Sequence, residues 1–182
     1  MVWVVVTGAL HLDGLADTAD AWLGGHGDRD NTLSILKDTH AGVAAIVAIV
    51  LLLIIKILAL NDINSNLLLA VLVTHILART AVIGLLLTTN YVRANGIAEK
   101  LTLAMPRQLA WAMIAAVGLL ALVLLQWKAI YILVSIVLAV FLYRILLIRR
   151  LGGTTGDTAG ALIEIIEVLV LLDFAAIEFL AS

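Results

Sequence analysis

The chain has no cysteine and only one proline in 182 residues. Disulfides and thiolate metal sites are therefore excluded. Charge is also scarce. Asp, Glu, Lys and Arg together make up 13% of the residues, about half the share of a soluble domain. The net charge of -2 offers no basic surplus, so no nucleic-acid partner is expected. The first residues lack a basic leader and a small-residue cleavage site, so they do not read as a signal peptide. What the chain has instead is hydrocarbon: 64% hydrophobic residues and a mean hydropathy of +1.17. Such a composition belongs to an integral membrane protein, and the lipid bilayer is its first expected partner.

Five apolar runs are long enough to span: Ala41–Leu60, Leu67–Thr89, Leu109–Gln126, Ala129–Ile148 and Thr158–Leu180. Before them, Met1-Val-Trp-Val-Val-Val-Thr-Gly-Ala-Leu10 starts inside an apolar helix. Ten residues rise about 15 Å, roughly half a hydrocarbon core. The expectation is that further membrane sequence precedes Met1. The alternative is a short re-entrant or interfacial helix. The fold class is all-α: a polytopic helical membrane protein with about five full transmembrane helices plus a partial amino-terminal helix. Residues 1–182 form one domain, without repeats.

The connections divide by charge. Arg29 and Lys37 lie in Gly24–His40, and Arg93, Lys100 and Arg107 in Tyr91–Gln108. Arg144, Arg149 and Arg150 precede the Gly152–Gly156 turn. Asn61–Asn66 has no Lys or Arg, and the turn at Trp127 has only Lys128. The positive-inside rule places the basic loops in the cytoplasm and leaves the carboxyl terminus outside. All the unusual polar sequence then collects on the cytoplasmic side.

Asp13, Asp17 and Asp20 are spaced by four and three residues, which puts them on one helix face beside a membrane-grade segment. Like charges there repel, and near hydrocarbon each is costly to ionise. Either the carboxylates share protons or a hard cation lies among them, possibly at a two-metal site. Asp20 alone also reads as a helix cap. Gly14 lets another helix or a phosphate come close.

A second acidic stretch is Gly152-Gly-Thr-Thr-Gly-Asp-Thr-Ala-Gly-Ala-Leu-Ile-Glu-Ile-Ile-Glu167. Its glycine-rich turn, with Gly153 and Gly156, opens a helix whose free N–H groups suit phosphate. Asp157 reads as a metal or substrate contact, or as a plain cap. Glu164 and Glu167 lie inside the apolar span, either backing the site or hydrogen-bonding between helices.

Lys37 and Asp38 stand where the next span begins, as candidates for a phosphate ligand and a metal ligand or general base. Asp28, Arg29 and Asp30 read as ordinary solvated charge. Arg79, near the middle of Leu67–Thr89, needs a carboxylate, a polar cavity or a phosphate. Arg93 reads equally as a phosphate contact and a positive-inside anchor. Lys56, His75, Asp173 and Glu178 fall toward the outer half, too far out to join the cytoplasmic cluster. Lys56 and Glu178 are expected to snorkel to the interface, and His75 and Asp173 to hydrogen-bond between helices. A carboxylate cavity ringed by arginines and a glycine-rich helix start fits phosphoryl-type transfer. A cation or proton transporter is the competing class, since it too uses intramembrane acids and a central arginine.

The motif His11-Leu-Asp-Gly-Leu-Ala-Asp-Thr-Ala-Asp20, followed by Lys37-Asp38 and Gly42, closely resembles the cobalamin-5'-phosphate synthase family. Ala78-Arg79, Tyr91-Val-Arg-Ala-Asn-Gly96 and Leu151-Gly-Gly-Thr-Thr-Gly-Asp157 match in order. So do Gly160-Ala161 and Glu164-Ile-Ile-Glu167. The resemblance runs from about Thr7 to the end, and family members carry additional membrane sequence before it. A looser similarity exists to the CDP-alcohol phosphotransferases. Asp13-Gly14-Leu-Ala16 matches their motif, but Asp17 stands where they have arginine and Leu10 where they have the first aspartate.

The family resemblance implies a multi-pass enzyme of the bacterial inner membrane, acting late in vitamin B12 synthesis with Mg²⁺. The implied reaction joins α-ribazole or its 5'-phosphate to adenosylcobinamide-GDP and releases GMP. On that chemistry Asp13, Asp17 and Asp157 are the expected metal ligands. Asp20 and Asp38 are the candidate catalytic carboxylates, with Asp38 as general base. Lys37, Arg79 and Arg93 are expected to contact phosphate, with Gly153, Gly156 and Glu164 also on the substrate. The active site would face the cytoplasm, and homo-oligomerisation stays open.

Overall fold

The computed structural model describes residues 2–38, 40–63, 66–93 and 104–181. Among these, eight helices follow one another: α1 Val2–Val6, α2 Leu10–Gly24, α3 Arg29–Ile35, α4 Val43–Asp62, α5 Leu67–Thr88, α6 Arg107–Leu125, α7 Trp127–Leu151 and α8 Gly156–Ala181. Ala94, Asn95, Gly96 and Lys100, which belong to the expected motif and basic loop, lie outside the described residues.

Local chemistry sets the boundaries. The opening apolar run does not continue as one helix: Gly8 and Ala9 take left-handed backbone angles and separate α1 from α2. Asp28 caps α3 by accepting from the Asn31 N–H at 2.7 Å, and Asn66 caps α5 by accepting from Leu69 at 3.0 Å. Pro106 directly precedes α6, where a missing N–H is harmless. A single residue, Gln126, with φ of 55°, turns α6 back into α7. At the start of α8 two threonines cap each other. The Thr155 N–H donates to Thr158 Oγ1 at 2.9 Å, and the Thr158 N–H donates to Thr155 Oγ1 at 3.2 Å.

Helices α4, α5, α6 and α7 are long and apolar enough to cross a membrane. The fifth expected span, α8, has the length, but Glu164, Glu167 and Asp173 interrupt its apolar run. The reason is its position. Helix α8 packs against α2, α4, α5 and α7, and Leu162, Ile166, Glu167, Val170 and Leu171 are fully buried. By contrast, α4, α6 and α7 turn large apolar side chains outward, such as Ile57, Val123 and Val137. In lipid an outward leucine or valine is at no disadvantage, so apolarity alone does not select the packed face. The polar side chains of the central helix do.

Candidate functional site

Of the predicted carboxylates, Asp13, Asp17 and Asp20 lie on α2 and Asp157 at the start of α8. The two helices meet at glycine. A Cβ on Gly14 would stand 2.7 Å from the Asp157 carbonyl oxygen and 3.3 Å from the Gly160 Cα, so no larger residue fits without moving α8. This contact sets the Asp13–Asp17 stretch beside Asp157. Asp13 is exposed, while Asp17 and Asp157 are half-buried. The Asp17 carboxyl is pushed up to about 6, first by burial and then by the charges of Asp13 and Asp157. Arg93 opposes that repulsion: its Nη1 donates to Asp157 Oδ2 at 2.6 Å.

Asp20 faces a different neighbour. It accepts from the Gly42 N–H at 2.5 Å and the Ala45 N–H at 3.0 Å, capping α4 from a separate helix. Lys37 and Asp38 lie in the exposed turn after α3, with the His40 Nδ1 2.7 Å from Asp38 Oδ1. The connection from α2 into α3 is fastened to the end of α7. Arg29 Nε donates to the Leu151 carbonyl at 2.8 Å, and Arg150 Nη2 to the Trp22 carbonyl at 2.8 Å. Arg29 and Asp28 are thus structural rather than merely solvated.

The glycine-rich turn is pinned to the segment after α5. The Thr154 N–H donates to the Asn90 carbonyl and the Val92 N–H to the Thr154 carbonyl, both at 2.9 Å. Gly153 permits that approach, because a Cβ there would lie 2.2 Å from the Asn90 oxygen. Gly156 opens α8 near the Tyr91 hydroxyl. This tie brings Arg93 to Asp157.

Arg79 and Glu164 lie deeper, in a buried charge cluster built from four helices. Lys56 Nζ on α4 donates to Glu164 Oε2 and to Glu167 Oε2, both at 2.6 Å. Arg79 on α5 pairs with Glu167 Oε1, and the His75 Nδ1 lies 3.0 Å from the same oxygen. From α1, Trp3 Nε1 donates to Glu167 Oε2 at 3.0 Å, and its ring lies 4.8 Å from Lys56 Nζ. The snorkelling expectation for Lys56 is overturned: its side chain is buried and turned inward, because two carboxylates on α8 demand a cation. His75 bonds between helices as expected, and Asp173 likewise accepts from Ser135 on α7.

Sequence reasoning missed Trp3 and misplaced Lys56. A signal existed for the latter, since Lys56 is the lone charge in Ala41–Leu60. It also passed over His11, whose Nδ1 is buried without a hydrogen-bond partner among the described residues.

Asp13, Asp17 and Asp157 are the side chains whose donor chemistry would suit a hard divalent cation. Their chemistry fits, because all-oxygen anionic donors that repel one another are relieved by such an ion. The spacing is not closed. Among the described residues no three His, Asp or Glu side chains are grouped tightly enough to enclose a metal, and Asp157 is held by Arg93.

The chain matches the cobalamin-5-phosphate synthase family over residues 1–176. Similar proteins include three named adenosylcobinamide-GDP ribazoletransferase. The protein of Pseudomonas fluorescens (strain Pf0-1) is 47% identical over 175 residues, covering 96% of this chain and 72% of its own length. That of Pseudomonas putida KT2440 is 49% identical over 181 residues, covering 96% and 71%. That of Pseudomonas savastanoi pv. phaseolicola is 45% identical over 176 residues, covering 95% and 72%. No solved structure matches the chain. Membrane-length helices, the aspartate helix set against the glycine-rich turn and these similarities agree: the chain belongs to the cobalamin-5-phosphate synthase family and is a membrane transferase.

Proposed function

We propose that the chain transfers the adenosylcobinamide-phosphate group from adenosylcobinamide-GDP to α-ribazole or α-ribazole 5'-phosphate. GMP is released, and adenosylcobalamin or its 5'-phosphate is formed. The observation that carries this reading is the meeting of α2 and α8, which sets the Asp13–Asp17 pair beside Asp157 and Arg93. The names of the relatives supply the two reactants, adenosylcobinamide-GDP and ribazole.

Asp13, Asp17 and Asp157 would hold Mg²⁺, which supplies neutralising charge to a pyrophosphate. Arg93 offers its guanidinium to a substrate phosphate. An incoming phosphate competes with Asp157 for it and leaves that carboxylate free for other work. Lys37, in the exposed turn beside α2 and α3, adds a second cation for phosphate. The ribose hydroxyl of α-ribazole attacks the phosphorus nearer the cobinamide, its proton passes to Asp38, and GMP departs. Asp20 acts through position, fixing α4 against α2. The positive-inside rule, applied to the basic loops, supports a cytoplasmic orientation for this end of the bundle, with the chain in a bacterial inner membrane.

The test is GMP release from adenosylcobinamide-GDP and α-ribazole by the chain in membranes, with Mg²⁺ or with chelator. Asp13→Asn is expected to lower the rate about a hundredfold or more, since even partners one shell removed from a metal matter by that order. An unchanged rate in Asp13→Asn, or full activity in chelator, removes the metal role.

A further inference from the structure

A groove of about 580 Å³ runs between α5, α6 and α7, and none of the carboxylates of the candidate site lines it. Leu77, Gly84, Ile114, Gly118, Val137 and Phe141 contribute its walls, and Thr88 and Arg144 lie at one end. Its depth comes from missing side chains. A Cβ on Gly118 would meet nothing within 4 Å, and one on Gly84 only the Ile114 Cδ1 at 4.0 Å. The groove opens on a bundle face rich in outward apolar side chains, including Trp111 and Phe141.

One end of this apolar channel is cationic. Arg144 Nε donates to the Thr88 carbonyl at 3.0 Å, and Arg107 Nη2 donates to the Leu87 carbonyl at 2.8 Å. Both guanidiniums are thereby moored at the carboxyl end of α5. Among the described residues neither pairs with a carboxylate. A guanidinium has five N–H donors and each of these bonds uses one. Two oriented cations with spare donors at the mouth of a hydrocarbon groove complement a molecule that is apolar along its length and anionic at its head.

We propose that this groove binds one anionic phospholipid, an acyl chain lying along α6 and the phosphate resting on Arg107 and Arg144. Charge complementarity decides the occupant. An apolar helix from a second copy would fill the walls but bring no opposite charge to either arginine. The site stands on the membrane character of the chain and is independent of the reaction proposed above.

Native mass spectrometry of the full chain, offered equal phosphatidylglycerol and phosphatidylcholine with matched acyl chains, tests it. One phosphatidylglycerol should be retained per chain, preferred about fivefold for each arginine that reaches the headgroup. Arg107→Ala with Arg144→Ala should abolish the preference while leaving lipid retention in place. Gly118→Phe should reduce retention of both lipids, because its Cβ stands in open space and its ring extends from there into the groove. Equal retention of the two lipids by the wild-type chain, or a preference that survives loss of both arginines, overturns the proposal. So does disulfide cross-linking of Gly118→Cys chains to one another, which would show a second copy seated there.

Discussion

At the scale of single residues, Asp17 is the most informative side chain. Its carboxyl titrates at about 6 rather than 3.8 because burial and then the neighbouring Asp13 and Asp157 disfavour its charge. A raised carboxyl holds its proton more tightly in the folded chain than in the unfolded one. Its favourable share of stability is complete below about pH 4 and is lost as the pH rises through about 6. In chelator, the melting temperature of wild type relative to Asp17→Asn should therefore fall across that window. Above it, Mg²⁺ should raise the wild-type melting temperature more than that of Asp17→Asn. Parallel pH profiles for the two proteins would show that Asp17 does not feel its neighbours. Asp20 shows why spacing alone does not assign a role: it shares a helix face with Asp13 and Asp17, yet its oxygens are occupied by two backbone N–H groups of another helix.

At the scale of helices, the decisive contact is α2 on α8. Gly14 was conspicuous in the sequence as a place for close approach, and the approaching partner is the backbone of Asp157 and Gly160. Backbone cannot swing aside as a side chain can, so Gly14→Ala must separate the helices. Such overpacking destabilises by about 1–3 kcal/mol. It should lower the melting temperature in detergent and reduce GMP release together, because the same shift parts Asp13 and Asp17 from Asp157. A Gly14→Ala protein with wild-type stability and rate would mean that the two helices have room to slide. The capping of α8 by Thr155 and Thr158 belongs to this scale too. Its glycine-rich turn was visible in sequence, whereas its partner across the chain, Asn90–Val92, was not.

At the scale of the whole molecule, one cluster of charges lies inside the bundle while many large apolar side chains face outward. Lys56 and Arg79 face Glu164 and Glu167, two cations against two carboxylates in one cluster that is buried except for the partly exposed Arg79. A balanced cluster of this kind needs no resident ion or extra proton, and it draws α1, α4 and α5 onto α8. Removing one member leaves its partners charged and unpaired. Lys56→Met should therefore destabilise by about 3–5 kcal/mol, read as a lower denaturant midpoint in detergent. Lys56→Met with Glu164→Gln should recover part of that loss, since one uncompensated carboxylate is then gone. No recovery in the double variant would show that Lys56 acts through packing and not through charge.

From the sequence alone came the membrane class, the four membrane-length helices and their approximate ends, the two acidic stretches and the family resemblance, whereas helix α3 was read as loop and the break at Gly8 and Ala9 went unforeseen. Each of these rests on composition or on short-range spacing, which survive in a linear reading. Which carboxylate meets which cation was left to the tertiary structure. Lys56 and Glu164 are over a hundred positions apart, and Arg93 and Asp157 over sixty. Hydropathy carries no information about which side of a helix turns inward when lipid and protein core are equally apolar. Only the packing of α8 at the centre resolved that, sending one set of acids into ion pairs and leaving another at the end of the bundle.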